Sequence, residues 1–312
     1  MKVFVLYARE RWITDELAKE WIENNGDIYT TNLDECDTIW ILSDYITNKI
    51  PFYYYRAKRV ITTIHHITPW KVTEKSKKHF EFLNDITDVF HSICENTTKN
   101  MIKFGFKKPI RTLPFWHNEN VWTFLNDKIN LRNKYNISED TFLVGSFQKD
   151  TESASVWNGT YLPKLEKGPD LFVKAVVALS KKHNNLKVLL TGYYRQYIMR
   201  ELDKVGIKYI YFERANFEKL NELYNILDLY VVASRVEGGP RAINECALTQ
   251  TPIYSTNVGI ASKLLSKESL FYIKDIDSIL KCSTNTKYSS KVAEKYKICN
   301  FMRRFTREIL ER

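Results

Sequence analysis

The sequence is poor in the residues that mark unusual protein classes. It has only 10 glycines and 8 prolines in 312 residues, which excludes a fibrous or low-complexity chain. Its five cysteines are odd in number, widely spaced and without a Cys-x-x-Cys pair, so they indicate neither a disulfide framework nor a zinc knuckle. No apolar run approaches the roughly 18 residues of a spanning helix. We therefore expect no membrane-spanning segment and no signal peptide.

Several reaction classes are excluded because their motifs are missing. The chain has no Gly-x-Ser-x-Gly elbow, no His-Glu-x-x-His zinc motif and no phosphate-binding P-loop. No Asp-x-Asp pair is expected near the end of a strand, the arrangement that holds a metal ion against a nucleotide diphosphate. We expect neither a metal site nor a cofactor.

The positive charge is unevenly distributed. The formal net charge is +10, yet residues 1–125 hold 17 Lys and Arg against 16 Asp and Glu, whereas residues 126–312 hold 30 against 21. Within the nearly neutral first part, a basic segment contains eight Lys or Arg and one acidic residue: Lys49, Arg56, Lys58, Arg59, Lys71, Lys75, Lys77, Lys78 and Glu74. Interleaved aromatics at 52–55 and 70 suit a nucleic-acid surface, an anionic membrane or an anionic substrate. The plain alternative is a solvated face above buried aromatics.

Apolar runs of strand type alternate with amphipathic stretches along most of the chain. Strands are predicted at 2–7, 36–42, 59–64, 88–93, 142–147, 186–190, 208–212, 227–233 and 252–255, and helices at 12–22, 169–182, 195–205, 217–226 and 241–248. Such βα units build parallel sheets covered by helices. The expected fold class is α/β, with two Rossmann-like domains facing a cleft and ligands at the carboxyl ends of the strands.

Two domains and a returning terminal helix are expected from the pattern. An irregular stretch at 115–140 is the predicted linker, and the bounds are 1–125 for the first domain and 126–286 for the second. Residues 287–312 are predicted to be helical throughout, with an apolar stripe that packs back across the first domain.

The most informative stretch is Leu229–Gly259. An apolar strand runs into Glu237, then into Gly238 and Gly239, and then into a helix that carries Glu245. The glycines permit close backbone approach to a ligand, and their N–H groups can bind polar oxygens or anions. Carboxylates beside such a loop suit vicinal hydroxyls. The combination indicates recognition of a sugar together with a ribose.

This stretch resembles the E-x7-E motif of the retaining glycosyltransferases of family 4, the group 1 family of GT-B fold. The resemblance implies that the first domain binds the acceptor and the second binds a nucleotide-sugar donor. It further implies that Glu237 and the adjacent Gly238 and Gly239 face the transferred sugar, while Glu245 binds the ribose. Pro240 and Arg241, which follow the glycines, are further candidates for donor binding. Transfer with retention and without a metal ion is the implied reaction.

The cationic residues that bind phosphate in the family have only partial counterparts in this sequence. Lys167, followed by Gly168, is similar in setting to the family's Lys-Gly that contacts the diphosphate. The family usually has an Arg after the glycine that ends the strand, whereas here Gly145 is followed by Ser146. Lys149 or Arg241 could replace that Arg. The insertion between Gly145 and Lys167 is long, and 153–160 is predicted to be a flexible or lid-like loop.

The first domain matches the family more loosely. Its 60–66 stretch, VITTIHH, resembles the strand that ends in Thr-x-His, which implies that His65 lies beside the donor sugar and acceptor, with His66 adjacent. The family's Gly-Gly loop after the first strand is replaced by a basic loop that contains Arg9, a candidate for the acceptor side.

The expected function is therefore transfer of a sugar from a nucleotide-sugar donor to a glycan, lipid-linked, phosphorylated or other hydroxyl acceptor. A cytoplasmic location is expected, with docking on the anionic inner membrane face as a further hypothesis for the basic segment. Two alternatives remain open: a noncatalytic nucleotide- or sugar-binding relative, and a basic nucleic-acid-binding protein. The second is disfavoured because a specific loop explains more than bulk charge does.

Overall fold

A computed structural model describes residues 1–10 and 13–311 of the chain. It divides into two compact units: unit 1 comprises Met1–Trp116 and Ile298–Arg312, and unit 2 comprises His117–Lys297. The expected bounds differ, because residues 117–125 and 287–297 lie in unit 2. In unit 2 the His117 N–H donates to the Tyr296 carbonyl at 2.8 Å, which ties these two stretches to each other.

Unit 1 contains a sheet of five parallel strands in sequential order. The strands are β1 (Val3–Leu6), β2 (Thr38–Ile41), β3 (Arg59–Ile64), β4 (Val89–Ser92) and β5 (Ile110–Thr112). The helices are α1 (Ile13–Asn24), α2 (Phe52–Ala57), α3 (Glu74–Ile86) and α4 (Glu95–Lys103), with 3-10 turns at Asp44–Lys49 and Pro69–Lys71. The predicted helix at 12–22 corresponds to α1, and its first residue, Trp12, lies outside the described residues.

Unit 2 contains a parallel six-stranded sheet in the order β11-β10-β9-β6-β7-β8. Its strands are β6 (Phe142–Ser146), β7 (Leu186–Thr191), β8 (Tyr209–Phe212), β9 (Leu229–Val232), β10 (Ile253–Thr256) and β11 (Leu270–Phe271). Its helices are α5 (Lys128–Lys134), α6 (Ser153–Trp157), α7 (Pro169–Ser180), α8 (Gln196–Lys204), α9 (Phe217–Asn225), α10 (Arg241–Thr249), α11 (Ala261–Leu264) and α12 (Thr286–Ala293). Four 3-10 turns are Leu165–Lys167, Lys267–Ser269, Ile276–Lys281 and Glu294–Tyr296.

The alternation of side chains along the strands divides the core of unit 2 into two layers. Val188 and Leu190 point to the face covered by α7, α8 and the 276–281 turn, and they belong to one buried cluster with Phe172 of α7. The opposite face packs on α9, where the rings of Tyr230 and Tyr224 lie 5.4 Å apart. Helices on both faces leave the strand ends as the accessible edge of the sheet. The expected α/β fold with two parallel sheets is confirmed.

The expectation of one continuous helix over 287–312 is wrong. The segment is interrupted after the Glu294–Tyr296 turn, where Lys297 adopts an extended conformation with φ −58° and ψ 149°. Helix α12 therefore stays in unit 2, whereas α13 (Ile298–Phe305) and the π-helical turn Thr306–Glu311 belong to unit 1. An amphipathic pattern alone does not reveal a break that changes which core each half contacts.

The terminal segment contributes to the core of unit 1. Phe305 is fully buried, and its ring centroid lies 5.0 Å from that of Trp116 and 5.7 Å from that of Trp40. The indole N–H of Trp21 donates to Thr306 Oγ1 at 3.0 Å, and Arg111 donates to the Glu308 carbonyl at 3.0 Å. Aromatic packing and these hydrogen bonds fix the return of the chain that the sequence predicts.

Two loops differ from their predictions. The stretch 115–140 was expected to be irregular, but it contains α5, and its residues 117–140 belong to unit 2, where Asn221 Oδ1 accepts from the Thr123 N–H at 3.0 Å. The expected flexible loop at 153–160 begins instead with α6. Strand β11 was not predicted, and Asp275 and Asp277 form an Asp-x-Asp pair shortly after it, at the start of a 3-10 turn, so the expectation that no such pair lies near a strand end is wrong. None of the described helices is long and apolar enough to cross a membrane.

Candidate donor site in unit 2

Two predicted site residues that are 70 positions apart in the sequence form an ion pair. Lys167 Nζ lies 2.5 Å from Glu237 Oε1, and the Glu237 side chain is 9% exposed. Lys167 ends the 3-10 turn before α7, and Glu237 follows β9. A partly buried ammonium and carboxylate at the carboxyl ends of adjacent strands can hold a phosphate oxygen and a sugar hydroxyl, respectively.

Backbone hydrogen bonds hold these two segments in register. The Glu166 carbonyl accepts from the Arg235 N–H at 2.8 Å and from the Val236 N–H at 3.2 Å. Arg235 also forms a bidentate ion pair with Asp170 of α7, with distances of 2.7 and 2.6 Å. Bidentate pairs fix orientation as well as distance. The loop that carries Glu237 is therefore anchored on both sides of Lys167.

Gly168 makes this close approach possible. It has φ +63°, and a Cβ atom at this position would lie 1.9 Å from the carbonyl oxygen of Ala233, just beyond β9. Only glycine fits here, because both the left-handed backbone and the contact exclude a side chain. A second glycine, Gly259, has φ +56° and would place a Cβ 2.5 Å from the Gly238 carbonyl. The Gly238–Gly239 turn is thus packed against the loop after β10, and Pro240 and Arg241 lead from it into α10.

Glu245 lies one turn into α10 and is partly exposed. Its Oε2 accepts a hydrogen bond from the Tyr224 hydroxyl at 2.5 Å. Burial, and then the charge of Glu245, raise the pKa of Tyr224 well above its ordinary value, so the hydroxyl stays protonated and donates. One carboxylate oxygen is therefore oriented by the protein, as an anchor for the two hydroxyls of a ribose requires.

The position that usually carries the family's Arg is occupied differently. Gly145 is packed in β6, where a Cβ would meet the side chain of Leu227 at 2.4 Å. The next residue, Ser146, accepts a hydrogen bond at 3.2 Å from Arg195, which is fully buried and paired with Asp150 at 2.5 Å. A guanidinium thus reaches this point from the loop after β7. Its charge is balanced inside the unit by Asp150.

Lys149 directly precedes Asp150 of this buried pair in the sequence. Its ammonium is 4.2 Å from the ring centroid of Tyr194 and donates to Ser153 Oγ. Burial, and then the nearby charge of Lys164, lower the pKa of Lys149, with a smaller contribution from Lys167. Tyr194 has a left-handed φ of 62°, and its carbonyl accepts from the N–H groups of Asp150 and Thr151. The strained turn fixes the ring under the ammonium.

The sequence analysis missed several residues that build this site. Arg195 was recognised only as the start of a helix, and its pairing with Asp150 spans 45 residues, so no local pattern announces it. Gln148 donates to the Lys167 carbonyl at 2.9 Å, and Ser234 donates to Glu237 Oε1 at 3.3 Å. Both follow strands directly, which is the signal that could have identified them.

The candidates in unit 1 lie at the ends of its strands. His65 follows β3, and its Nε2 donates to the Leu42 carbonyl at 2.8 Å, which leaves Nδ1 as an acceptor. Burial lowers the pKa of His65, which favours the neutral ring. His66 is half-buried beside it. Arg9 is exposed after β1, with φ 60° and its guanidinium 5.5 Å from the Tyr7 ring centroid.

The contact at Gly168 can be tested by alanine substitution. Gly168→Ala introduces both left-handed strain and the clash with Ala233, whereas Gly206→Ala introduces only the strain, because Gly206 has φ +69° and open space around it. We expect Gly206→Ala to cost about 1–2 kcal/mol of unfolding free energy and Gly168→Ala about 1–3 kcal/mol more. Denaturant unfolding of both variants measures the difference. Equal losses would show that the segment does not need this close contact.

Comparisons with known proteins bear on the family and on the fold. Residues 162–282 match the family model described as "Glycosyl transferases group 1", and no curated protein matches the chain. The structure of Anabaena Alr3699/HepE in complex with UDP and glucose is similar with a TM-score of 0.75 at 13% identity, over 97% of each chain. A sucrose-phosphate synthase from Thermosynechococcus elongatus gives 0.67 at 14% identity, over 96% of this chain and 78% of that chain.

A third similar structure is WaaG, described as a glycosyltransferase involved in lipopolysaccharide biosynthesis. Its TM-score is 0.65 at 12% identity, over 99% of this chain and 100% of that chain. The matched segment 162–282 contains Lys167, Glu237 and Glu245, which are the residues around which the site in unit 2 is built. The chain therefore has the GT-B fold, and residues 162–282 are similar to the group 1 glycosyl transferases.

Proposed function

We propose that this protein is a glycosyltransferase that moves a sugar from a nucleotide-sugar donor to a hydroxyl acceptor, with retention of the anomeric configuration and without a metal ion. The observation that carries the proposal is the ion pair between Lys167 and Glu237 beside the Gly238–Gly239 turn. Glu245 completes the set on the helix that follows the turn. All of these residues lie within the segment that matches the group 1 family model.

The donor occupies the carboxyl edge of the unit 2 sheet in this proposal. Glu245 accepts the ribose hydroxyls, Lys167 and Lys149 bind the diphosphate, and Glu237 with the Gly238–Gly239 amides orients the sugar. Lys167 exchanges part of its contact with Glu237 for a phosphate oxygen when the donor binds. Several similar structures contain UDP, so a uridine diphosphate sugar is the first donor to test.

The proposed reaction uses the positive charges of Lys149 and Lys167. The bond between the anomeric carbon and the diphosphate oxygen breaks, and the acceptor oxygen bonds to the same face of that carbon. The acceptor proton passes to the departing diphosphate, whose negative charge Lys149 and Lys167 stabilise. The chain supplies position and electrostatics instead of a nucleophile. In unit 1, His65 accepts a hydrogen bond from a sugar hydroxyl at Nδ1, while His66 and Arg9 contact the acceptor.

Donor binding can be measured by thermal unfolding with a panel of nucleoside diphosphates and their sugars. A ligand at about 100 times its dissociation constant stabilises the folded protein by roughly 2.7 kcal/mol, which raises the midpoint by several degrees. We expect a shift with uridine diphosphate in the wild type and its loss in Glu245→Ala, because the ribose anchor is removed.

The matched control is Glu139→Ala, which removes an exposed carboxylate elsewhere in unit 2 and should retain the full shift. Each midpoint is compared with that of the same variant without ligand, because Glu245→Ala also removes the acceptor of Tyr224. Absence of a shift with every nucleotide would contradict the donor site. A shift without turnover on any acceptor would favour the noncatalytic alternative, which the Ser146 departure also supports.

The lowered pKa of Lys149 predicts a pH dependence of nucleotide affinity. Because its pKa lies below the ordinary lysine value of 10.5, Lys149 loses its proton at a lower pH than an ordinary lysine. Its attraction for the diphosphate is therefore present at low pH and is lost as the pH rises through this lowered pKa. Calorimetric affinities for uridine diphosphate from neutral pH upward should fall roughly tenfold over this window. Lys149→Arg should move the fall to higher pH, and Lys149→Met should be weak and flat. A wild-type profile as flat as that of Lys149→Met would exclude the contact.

We further propose that the basic segment docks unit 1 on an anionic membrane surface. Phe52, Tyr53 and Trp70 are exposed, whereas Tyr55 is buried, and the exposed rings support this proposal. Helices α2 and α3 form one surface, because the Phe52 and Phe82 rings lie 6.2 Å apart. Arg59 does not belong to this surface, since it donates to the Leu310 carbonyl.

Sedimentation with vesicles tests this docking. Neutralising Arg56, Lys75 and Lys78, which are exposed, should weaken binding to phosphatidylglycerol vesicles roughly a hundredfold, at about 1 kcal/mol per cation. The control variant neutralises Lys281, Lys287 and Lys291 in unit 2 and should bind like the wild type. Equal binding to neutral and anionic vesicles would exclude docking through charge.

A further inference from the structure

The most exposed large apolar side chain among the described residues is Trp157, at 85%. By contrast, Trp21, Trp40 and Trp116 are fully buried. Trp157 ends α6 within the insertion between β6 and α7. An indole presented to solvent at the tip of an inserted loop makes little contribution to the core and is accessible to a ligand.

The insertion is an ordered loop, closed at its base. Thr151 and Pro163 form an antiparallel bridge, and the Lys164 N–H donates to the Asp150 carbonyl at 2.7 Å. Inside the loop Ser155 is 3% exposed, and its hydroxyl accepts from the Leu162 N–H at 2.8 Å and donates to the Glu152 carbonyl at 2.6 Å. These bonds hold α6, and therefore Trp157, in a fixed place.

The turn after Trp157 is also specified in detail. Asn158 Oδ1 accepts from the Thr160 N–H at 3.1 Å and from its hydroxyl at 2.7 Å. Arg200 of α8 donates to the Thr160 carbonyl at 3.2 Å. Tyr161 adopts a left-handed φ of 50°, a conformation that costs a non-glycine residue about 1–2 kcal/mol. The loop therefore keeps this shape despite the conformational strain at Tyr161.

Both ends of the loop lie at the lysines proposed to bind the diphosphate. It begins immediately after Lys149 and leads directly into the Leu165–Lys167 turn. Lys149 donates to Ser153 Oγ at the first residue of α6, and Trp157 is four residues, about one helical turn, further on. The exposed indole is therefore connected to Lys149, and so to the proposed diphosphate site, through one turn of helix.

We propose that Trp157 is an acceptor platform, on which a pyranose ring of a glycan acceptor stacks next to the leaving diphosphate. The inference rests on the proposed function and names its acceptor as a sugar. The apolar C–H face of a pyranose fits the flat indole, while Asn158 and Thr160 provide polar groups around it. Stacking would hold an acceptor hydroxyl beside the diphosphate oxygen that receives its proton.

Charge favours a sugar over a membrane as the occupant. Residues 150–164 contain two acidic side chains, Asp150 and Glu152, and one basic one, Lys164. Asp150 is buried and paired with Arg195, so the remaining charges, Glu152 and Lys164, balance each other, and the loop lacks the excess of positive charge found in the basic segment of unit 1. The match to the group 1 family model begins at residue 162, so Trp157 lies outside the matched segment.

Fluorine NMR of the full chain labelled with fluorotryptophan tests the platform. Trp157→Phe and Trp70→Phe assign the two resonances, and Trp70, which is 52% exposed in unit 1, serves as the internal control. The probes are the methyl α- and β-glycosides of glucose, galactose, mannose and N-acetylglucosamine, with their disaccharides. We expect a saturable shift of the Trp157 resonance with at least one glycoside and none for Trp70.

Transfer assays with that glycoside complete the test. Trp157→Ala should lower kcat/KM for the glycoside about tenfold, Trp157→Phe should retain most of it, and hydrolysis of the donor by water should stay within about twofold. The matched control Tyr272→Ala, also an exposed ring in unit 2, should change neither. Such a control matters because any exposed aromatic could contribute nonspecific affinity.

Three outcomes would overturn the proposal: no shift of Trp157 with any glycoside, unchanged kcat/KM in Trp157→Ala, or a Trp157 shift produced only by phosphatidylglycerol vesicles. The last would identify a membrane anchor. Failure of the proposed function is distinguishable from all three outcomes, because it would appear as the absence of a nucleotide-induced shift in the unfolding midpoint, which is measured separately. A Trp157 shift with glycosides but no nucleotide binding would leave a glycan-binding site without the transfer reaction.

Discussion

The site in unit 2 depends on the contact between Lys167 and Glu237, which joins the start of α7 to the end of β9. That contact exists because Gly168 places its backbone against the Ala233 carbonyl, where any side chain would clash. Once the two segments are locked together, the Gly238–Gly239 turn is held between them and the loop after β10. An ammonium, a carboxylate and a set of backbone amides then converge at the accessible edge of a parallel sheet, where such sheets bind their ligands.

Local sequence signals were sufficient to predict the two parallel sheets and the stretch that carries Glu237 and Glu245. The βα rhythm predicts the two sheets because buried strands and amphipathic helices have different periods, and the run from Leu229 to Glu245 combines a strand, a glycine turn and a helix within 17 residues. Interactions between distant residues were not predictable. The pairing of Arg195 with Asp150, and the break at Lys297 that sends α12 and α13 to different units, depend on which surfaces the folded units offer.

The absent Arg after Gly145 has a structural counterpart. Arg195 reaches Ser146 from the loop after β7, but Asp150 balances its charge in the interior. A buried ion pair of this kind holds geometry more than it adds stability. Here it orders the loops that carry Lys149 and Tyr194, so that a second ammonium is held near Lys167. In this account, a structural Arg and a binding Lys share the task that one Arg performs in the family the sequence resembles.

The central claim is that a nucleotide diphosphate binds between Lys149 and Lys167 with its ribose on Glu245. A crystal structure of the protein grown with uridine diphosphate tests this most directly. The account predicts electron density at the carboxyl edge of the unit 2 sheet, with phosphate oxygens in hydrogen-bonding range of both lysine Nζ atoms and the ribose hydroxyls on Glu245. Nucleotide bound elsewhere, or at this edge with the Lys167–Glu237 pair undisturbed and no contact to Lys149, would contradict it.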